Sequence, residues 1–511
     1  MSRRAWLITL GVLGVAAFLR LWHLELRPPH HDEGVNGWFV EGMLRRGYYA
    51  YDPANYHGPS YFYLLAGARK VFGFGLWQLR LPGALVGVAL CAVPLVVRRQ
   101  LGAARTVAAV ALLATSPTLV YYARYAIHET LLATLGLLAC ACTLRWAASG
   151  RHRWLIGLAA AIAGMIATKE TTILFLAAAG LWLLGEVAVE SARAKRLVVL
   201  GQPAAWSWRV PAVAAAALAV MAAIHVLLFS GFFQAPGSLA EQLRRSVRAY
   251  LVWSKTGTDH GGHVKDACYY LHLGMRYELA LYALAVIGLW AGVRERWIRG
   301  PGLVGFAMLG LYSAVAYKMP WLPMSWLVLL AVPAANGAVV IGRLLATEVW
   351  PRLGTGGAVA LAMVPALLIT GRSSFIRPAD QREALAYVHT DADYNRWFPL
   401  ITAGARQRGR ARFTVAVEHD AQWPLAWALM RYPRTRWSAT GTEDVIIVAT
   451  DRAPALEARL KTRYLRRSSR LRDAAAPAVI YFREALYAPR LAQARARGEV
   501  TEVTPATVAV R

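Results

Sequence analysis

The stretch AVAAAALAVMAAIHVLLF, residues 212–229, is one of many unbroken apolar runs in this chain, and no other feature constrains the fold as tightly. Such a run is long enough to cross a hydrocarbon core of about 30 Å as a helix. Within lipid each backbone N–H and C=O has to be satisfied inside its own segment, so the runs are expected to be helical. About eleven spans are predicted, near 5–22, 79–97, 104–122, 128–147, 153–168, 171–189, 211–231, 276–293, 301–317, 323–343 and 356–371. The chain is therefore read as a polytopic α-helical membrane protein with added juxtamembrane helices. Past residue 372 the long runs stop. ARFTVAVEHD, EDVIIVAT and APAVIYF read as short strands between helical stretches, which predicts a soluble α/β domain over 372–511 after a membrane domain over 1–371.

The 511 residues include 57 Lys and Arg against 29 Asp and Glu, a net charge of +28. A nucleic-acid partner would be the first inference. Much of the charge, however, lies in short loops between apolar runs, as in RRQLGAAR and ARAKRLVVLGQPAAWSWR. That is the positive-inside pattern and needs no nucleic acid; it also favours anionic lipid headgroups. The N-terminal MSRRAWLITLGVLGVAAFLRLW has a charged start and an apolar core with no small-residue cleavage site after it, and is read as an uncleaved first helix starting in the cytoplasm. Cys91, Cys140, Cys142 and Cys268 lack metal-ligand spacing and are read as packing residues.

Topology turns on GPSYFYLLAGARKVFGF, residues 58–74. If this stretch lies at the interface, the basic loops at 98–105, 145–153, 193–209 and 294–299 all fall on the cytoplasmic side; if it spans, all fall outside. The first arrangement is adopted. It places Glu25, Asp32, Glu33, Glu41, Asp52, Glu129 and Glu170 on the outer face of an inner (cytoplasmic) membrane, with a catalytic loop at 25–78 and the C-terminal domain on the same side.

Four stretches on that face can carry chemistry. In RPPHHDEGVNGWF, residues 27–39, His30, His31, Asp32 and Glu33 stand side by side at the mouth of the first span. Asp32 can open a helix as its cap, with Glu33 favoured by the dipole in the first turn; the acids can also take protons from a substrate. In YYARYAIHET, residues 121–130, Arg124 and Glu129 sit where one helix leaves the membrane and the next re-enters, as a structural pair or as functional groups. In AYKMPWLPMSW, residues 316–326, Lys318 beside Tyr317 reads as a snorkelling lysine or as a phosphate anchor. GTDHGGHVKDACYYLHLGMRYE, residues 257–278, offers Asp259, His260 and His263 in a glycine-bearing loop suited to a lid. A divalent metal is a candidate cofactor, with His31, Glu129 and His263 as candidate ligands. His57, in YHGPSYFY, lies on the same face.

These groups suit one reaction. A sugar carried on polyprenyl phosphate leaves behind a phosphate, which needs little protonation. Its transfer requires cations for the departing charge and a carboxylate for the acceptor's hydroxyl proton. Arg124 and Lys318 would serve the phosphate, and Asp32 or Glu33 the proton. The lipid tail explains a site at a membrane face. The alternative is a transporter or flippase for a lipid-linked glycan, which would place polar groups near the midplane and show paired halves. A third reading makes 372–511 a binding module on a membrane anchor.

With those residues in view, the chain resembles the GT-C superfamily of integral-membrane glycosyltransferases, in the branch of protein O-mannosyltransferases and aminoarabinose transferases. The resemblance rests on the Asp-Glu pair in HHDEGVNGWF, on DPANYHGPSYFYLLAGARKVFG followed by LRLPGAL, and on SPTLVYYARYAIHETLL. GTDHGGHVKDACYYLHLGMRYE, YKMPWL and the C-terminal WPLAWALMRYP are similar to the narrower archaeal-glycosylation "flippase activity-associated" proteins. The superfamily resemblance implies inverting transfer from a lipid-phosphate sugar on the outer face to a protein, lipid or glycan acceptor. It implies Asp32 as the catalytic carboxylate and Glu129 as the second acid; Tyr317, His57 and His263 are read from their place on the outer face as substrate-binding candidates beside Arg124 and Lys318. Aminoarabinose-type relatives have a lysine before the Pro-Pro or Gly-Pro step where this chain has His57, a departure from their pattern.

Overall fold

The computed structural model describes residues 1–55, 57–203, 209–258, 263–348, 354–472 and 477–505. The chain divides into two compact units, one of Met1–Leu24 with Phe39–Ile376, the other of Glu25–Trp38 with Arg377–Arg511.

The first unit is a helical membrane bundle. Among the described residues seven helices are long and apolar enough to cross a membrane, and up to eight if the broken pair Tyr269–Tyr277 and Leu279–Ala291 forms one span. Every predicted span overlaps helical chain, though the seven or eight helices that meet the length and hydropathy of a crossing are fewer than the eleven expected, and three departures have clear local causes. The apolar stretch Leu76–Thr115 runs 40 residues, which as a straight helix would measure about 60 Å. It doubles back instead. Gly102 takes φ 77°, and Arg20 of the first helix touches both limbs. Its Nη1 and Nη2 donate to Ala114 and Leu113 carbonyls at 2.9 Å each, while a Cβ on Gly87 would fall 3.1 Å from Arg20 Nε. The return limb then breaks at Ser116, whose side chain accepts from Leu119 N and caps the new helix Pro117–Ala123. The third break is at Glu278, where the chain bends by 103°. There the buried carboxylate accepts from Ser116 Oγ at 2.7 Å and Thr118 N at 2.8 Å.

Loop contacts sort the two ends of this bundle. At one end Arg105 pairs with Glu295 at 2.6 Å, Arg299 with Glu186 at 2.6 Å, and Gln202 donates to Ala147 O at 2.9 Å. These are the basic loops. At the other end the loop before Ser60–Phe72 pairs with residues 167–170. That helix has thirteen residues, about 20 Å, short of a hydrocarbon core of about 30 Å. Ser60 N donates to Ala167 O at 2.9 Å, and by Gly83 the chain is back beside Tyr61. Arg69 on this helix pairs with Glu41 at 2.5 Å. Elsewhere small residues let helices touch: a Cβ on Gly337 would fall 2.1 Å from Leu284 O, which brings Met324–Glu348 hard against Leu279–Ala291.

The second unit is built on a six-stranded sheet in the order Arg434–Arg436, Thr414–Glu418, Val445–Ala449, Pro477–Arg483, Tyr464–Arg470, Thr501–Val503. The first two junctions are parallel and the others antiparallel. Val445–Ala449 is buried along its whole length, as expected of a central strand covered on both faces. Trp397 and Ile401 of the helix Tyr394–Arg408 cover one face with Val415, Ile447 and Phe482; Ile446, Val448 and Tyr481 meet Leu456 on the other. Asp444 is fully buried and is held by Arg408 at 3.1 Å, Arg483 at 3.2 Å and Thr414 N at 3.0 Å.

Candidate active site

The helix His31–Arg46 begins in the histidine–acid cluster, and its cap is His30 rather than Asp32. His30 Nδ1 accepts from Asp32 N at 3.0 Å, and its Nε2 lies 3.0 Å from Tyr387 O, which fixes Nε2 as the protonated nitrogen. Glu33 reaches back so that its Oε2 accepts from His30 N at 2.9 Å. This is the reciprocal arrangement of a capping box, with a histidine in place of serine or threonine. Glu33 is wholly buried in the process. Asp32 stays 40 % exposed, and among the described residues the basic side chain nearest its carboxylate is the His30 ring at 4.0 Å. One acid is thereby committed to the fold and the other is available to a substrate.

The same turn is gripped by the C-terminal unit to which it belongs. Thr390 Oγ1 donates to Pro29 O at 2.5 Å, and Asn395 Nδ2 to Leu26 O at 2.9 Å. A Cβ on Gly34 would lie 2.7 Å from Pro424 Cα, and one on Gly37 2.5 Å from Trp427 Nε1, so only glycine permits the approach. Burial holds the His30 and His31 pKa values below the ordinary 6.5, against the pull of Asp32. Both rings are therefore neutral at neutral pH.

In the helical unit a second group assembles at the acidic end of the bundle. Lys169 Nζ donates to Glu129, both of them buried. Next to it His57 Nδ1 lies 3.1 Å from Glu170 Oε2, so the imidazole donates to the carboxylate. Burial disfavours the charged forms of both Lys169 and Glu170. It is outweighed by Glu129 and Glu170 around the lysine, and by His57 and Lys169 around the glutamate; the Lys169 pKa rises and the Glu170 pKa falls. Both are ionised. The pairing is set by backbone: Gly58 N donates to Thr168 O at 3.1 Å, and Ser60 Oγ lies 2.8 Å from Thr168 Oγ1. A Cβ on Gly58 would fall 2.2 Å from Ala167 O. The His128 ring packs 4.7 Å from that of His57, and its buried Nε2 has no hydrogen-bond partner among the described residues.

A third group joins two loops at that end. Lys318 N donates to His263 O at 3.0 Å, Lys265 N to Ala316 O at 3.2 Å, and Val264 bridges Tyr317. The rings of His263 and Tyr317 lie 5.3 Å apart, and Tyr317 is within electrostatic reach of Lys169. Lys318 is buried; its Nζ donates to Val315 O, while Lys265 Nζ donates to Lys318 O at 3.1 Å. Burial lowers the pKa of each lysine, and Lys318 lowers that of Lys265 further. The Asp266 carboxylate acts in the opposite sense on Lys318 and partly offsets its burial.

Arg124 has a different place from the one its sequence position suggests. Its Nη1 donates to Leu19 O at 3.1 Å and Trp22 O at 2.6 Å, and Nη2 to His23 O at 2.8 Å. It closes the carbonyl end of the first helix, with its guanidinium 4.6 Å over Phe375. Among the described residues no three His, Cys, Asp or Glu side chains stand close enough to hold a metal ion. The candidate ligands are engaged elsewhere: His31 with Arg472, Glu129 with Lys169, and His263 with Tyr317. Asp259 and His260 lie outside the described residues. The sequence places Glu170, with His128 and Lys169, among the polar groups of the outer face but gives none of them, nor Lys265, an individual role. The adjacent Lys169-Glu170 pair in the gap between two apolar runs was the available signal.

An apolar recess of about 340 Å³ opens in the helical unit among Ala163, Ile166, Leu218, Met221, Val226 and Leu243.

Residues 56–214 match the family model of dolichyl-phosphate-mannose-protein mannosyltransferases. No curated protein matches the sequence. Among solved structures, ArnT from Cupriavidus metallidurans, crystallised with undecaprenyl phosphate, aligns with a TM-score of 0.62 at 16 % identity, over 94 % of this chain and 98 % of that one. The archaeal oligosaccharyltransferase AglB from Archaeoglobus fulgidus, solved with an inhibitory peptide and a dolichol-phosphate, aligns at 0.54 and 10 % identity, over 91 % of this chain and 73 % of that one. Identities this low speak for architecture, and they do not reach the narrower flippase-activity-associated group. Alignment over more than nine-tenths of this chain shows that it shares the fold of these two structures, a multi-pass helical unit followed by a C-terminal unit.

Proposed function

We propose that the protein transfers a sugar from a polyprenyl-phosphate donor to an acceptor hydroxyl, with inversion, at the outer face of the cytoplasmic membrane. The observation that carries this reading is the division of labour at the cluster, which leaves Asp32 as a partly exposed carboxylate beside a fully engaged Glu33. Asp32 takes the proton of the acceptor hydroxyl while its oxygen bonds to the anomeric carbon. The bond from that carbon to the phosphate oxygen breaks, and polyprenyl phosphate leaves with the electron pair. Lys318 and Lys265 receive the departing charge, a stabilisation that grows as the phosphate separates. Lys169, neutralised by Glu129, and His57, oriented by Glu170, line the donor's path with fixed dipoles and charges. The apolar recess suits the prenyl tail. Arg124 and Glu33 are assigned to the fold and not to the chemistry. The ArnT and AglB structures, solved with undecaprenyl phosphate and a dolichol-phosphate, support a lipid-phosphate donor.

The test is an assay in membranes with radiolabelled polyprenyl-phosphate hexoses, comparing the wild type with Asp32→Asn and Glu129→Gln at matched expression. Release of polyprenyl phosphate should be lost in Asp32→Asn. A folded Asp32→Asn protein that still releases it would end the assignment. Labelled lipid-linked sugar crossing proteoliposomes with no transfer would favour the flippase reading.

A further inference from the structure

WPLAWALMRYP, residues 423–433, and Arg472 have no part in the reaction above, yet both lie against the turn that bears Asp32. His31, Gly34 and Trp38 share one face of their helix by spacing. That face lies on residues 423–427, with Gly34 against Pro424 and Gly37 against Trp427. The Trp423 ring is flanked by His31 at 6.2 Å and by Trp38 at 6.4 Å, nearly perpendicular to the latter at 83°. Trp38 remains 43 % exposed. From the other side Arg472 Nη1 comes within 3.4 Å of His31 Nδ1. Among the described residues Arg472 has no carboxylate at ion-pair distance, unlike its neighbour Arg467, which pairs with Asp393 at 2.8 Å. The Arg472 guanidinium, two indoles and the Asp32 carboxylate thus meet at one turn.

We propose that Trp423, Trp38, His31 and Arg472 form the acceptor subsite, and that the acceptor is a carbohydrate bearing a negative charge. The inference rests on the transferase reading with Asp32 as base. An indole face takes the C–H face of a sugar ring at little entropic cost. A guanidinium fork fits a carboxylate or phosphate in two parallel hydrogen bonds. Residues 377–511 contain 23 Lys and Arg against 14 Asp and Glu, so the unit that bears this cluster draws in anions and repels cations. His31 turns Nδ1 to Arg472, which leaves Nε2–H to donate to a sugar hydroxyl.

The test uses the full-length protein in detergent, titrated with a galacturonic acid trimer, maltotriose and a triglutamate peptide. Intrinsic tryptophan fluorescence and calorimetry provide the readouts. The uronate trimer should bind saturably and best. Trp423→Ala and Arg472→Gln should each weaken it by about tenfold or more, Trp423→Phe should restore part of the loss, and Arg434→Gln, an exposed arginine away from the cluster, should change nothing. Asp32→Asn should retain binding. Maltotriose or triglutamate binding as tightly, no saturable binding, or unaltered binding in Trp423→Ala and Arg472→Gln would each overturn the subsite. Donor turnover that needs Asp32, in a protein indifferent to the uronate, would remove the subsite and leave the transferase. Uronate binding with undiminished turnover in Asp32→Asn would do the reverse.

Discussion

A histidine is an uncommon helix cap because it accepts a hydrogen bond only while neutral. His30 does so here with Nδ1, toward Asp32 N. Burial lowers its folded pKa below 6.5, so as pH falls the unfolded chain takes up the proton first. Its contribution is whole above about pH 6.5 and is lost as the pH drops through the folded value. The melting temperature of the wild type should therefore decline from pH 7.5 to pH 5. His30→Asn keeps an acceptor at the cap and should decline by one histidine's share less; an equal slope would refute the cap's role. The buried Lys169–Glu129 pair predicts a different signature. Lys169→Met strands a buried carboxylate and should cost about 3–5 kcal/mol, while Lys169→Met with Glu129→Gln should recover much of that in a double-mutant cycle. His30 shows where residue-level reading reached its limit. Local spacing showed that a helix starts in HHDE, but Asp32 and His30 are both chemically able to cap it. Only the carbonyl of Tyr387, 357 residues away, decides the tautomer and hence the cap.

Helices and strands were far easier to read than their junctions. Apolar length alone located the helices of the bundle, because lipid forces every such run to be helical, but it counted more crossings than the seven or eight helices long enough to make one. The interruptions at Ser116 and Glu278 were invisible, since each depends on the other: the Glu278 carboxylate satisfies Ser116 Oγ and Thr118 N across 160 residues. The carbonyl partners of Arg124 were illegible for a related reason. An arginine at a span's end looks the same whether it meets a phosphate or the carbonyls of another helix. The junction at Gly58 yields a prediction at this scale. Gly58→Ala pushes a methyl group into the backbone of Ala167 and should cost about 1–3 kcal/mol. The displaced loop carries His57, so turnover of the lipid donor should fall by more than the loss of folded protein explains.

At the scale of the molecule, charge asymmetry predicts orientation. The basic loops gather at one end of the bundle and the acidic ones at the other. Asp52 and Ala103, both exposed, lie on loops of opposite kind. In a background with Cys268→Ser, a membrane-impermeant maleimide applied to intact spheroplasts should label Asp52→Cys and spare Ala103→Cys; the opposite result would invert the topology. The α/β character of the C-terminal unit was evident in alternating strand patterns such as TVAVE and VIIVA. Its hold on Glu25–Trp38 was not, because no periodicity within either segment records a contact between them.

That hold has a consequence for how the protein is made. His31 and Arg472 are separated by 441 residues, and Tyr387, Thr390 and Trp427 are also late in the chain. At about 5–20 residues per second, the turn bearing Asp32 leaves the ribosome roughly 20–90 seconds before its last clamp exists. A nascent chain, or one truncated before residue 377, carries the carboxylate without the scaffold that aims it. The activity proposed for Asp32 therefore requires the final domain to be synthesised and folded, and a chain truncated before residue 377 should release no polyprenyl phosphate in the membrane assay.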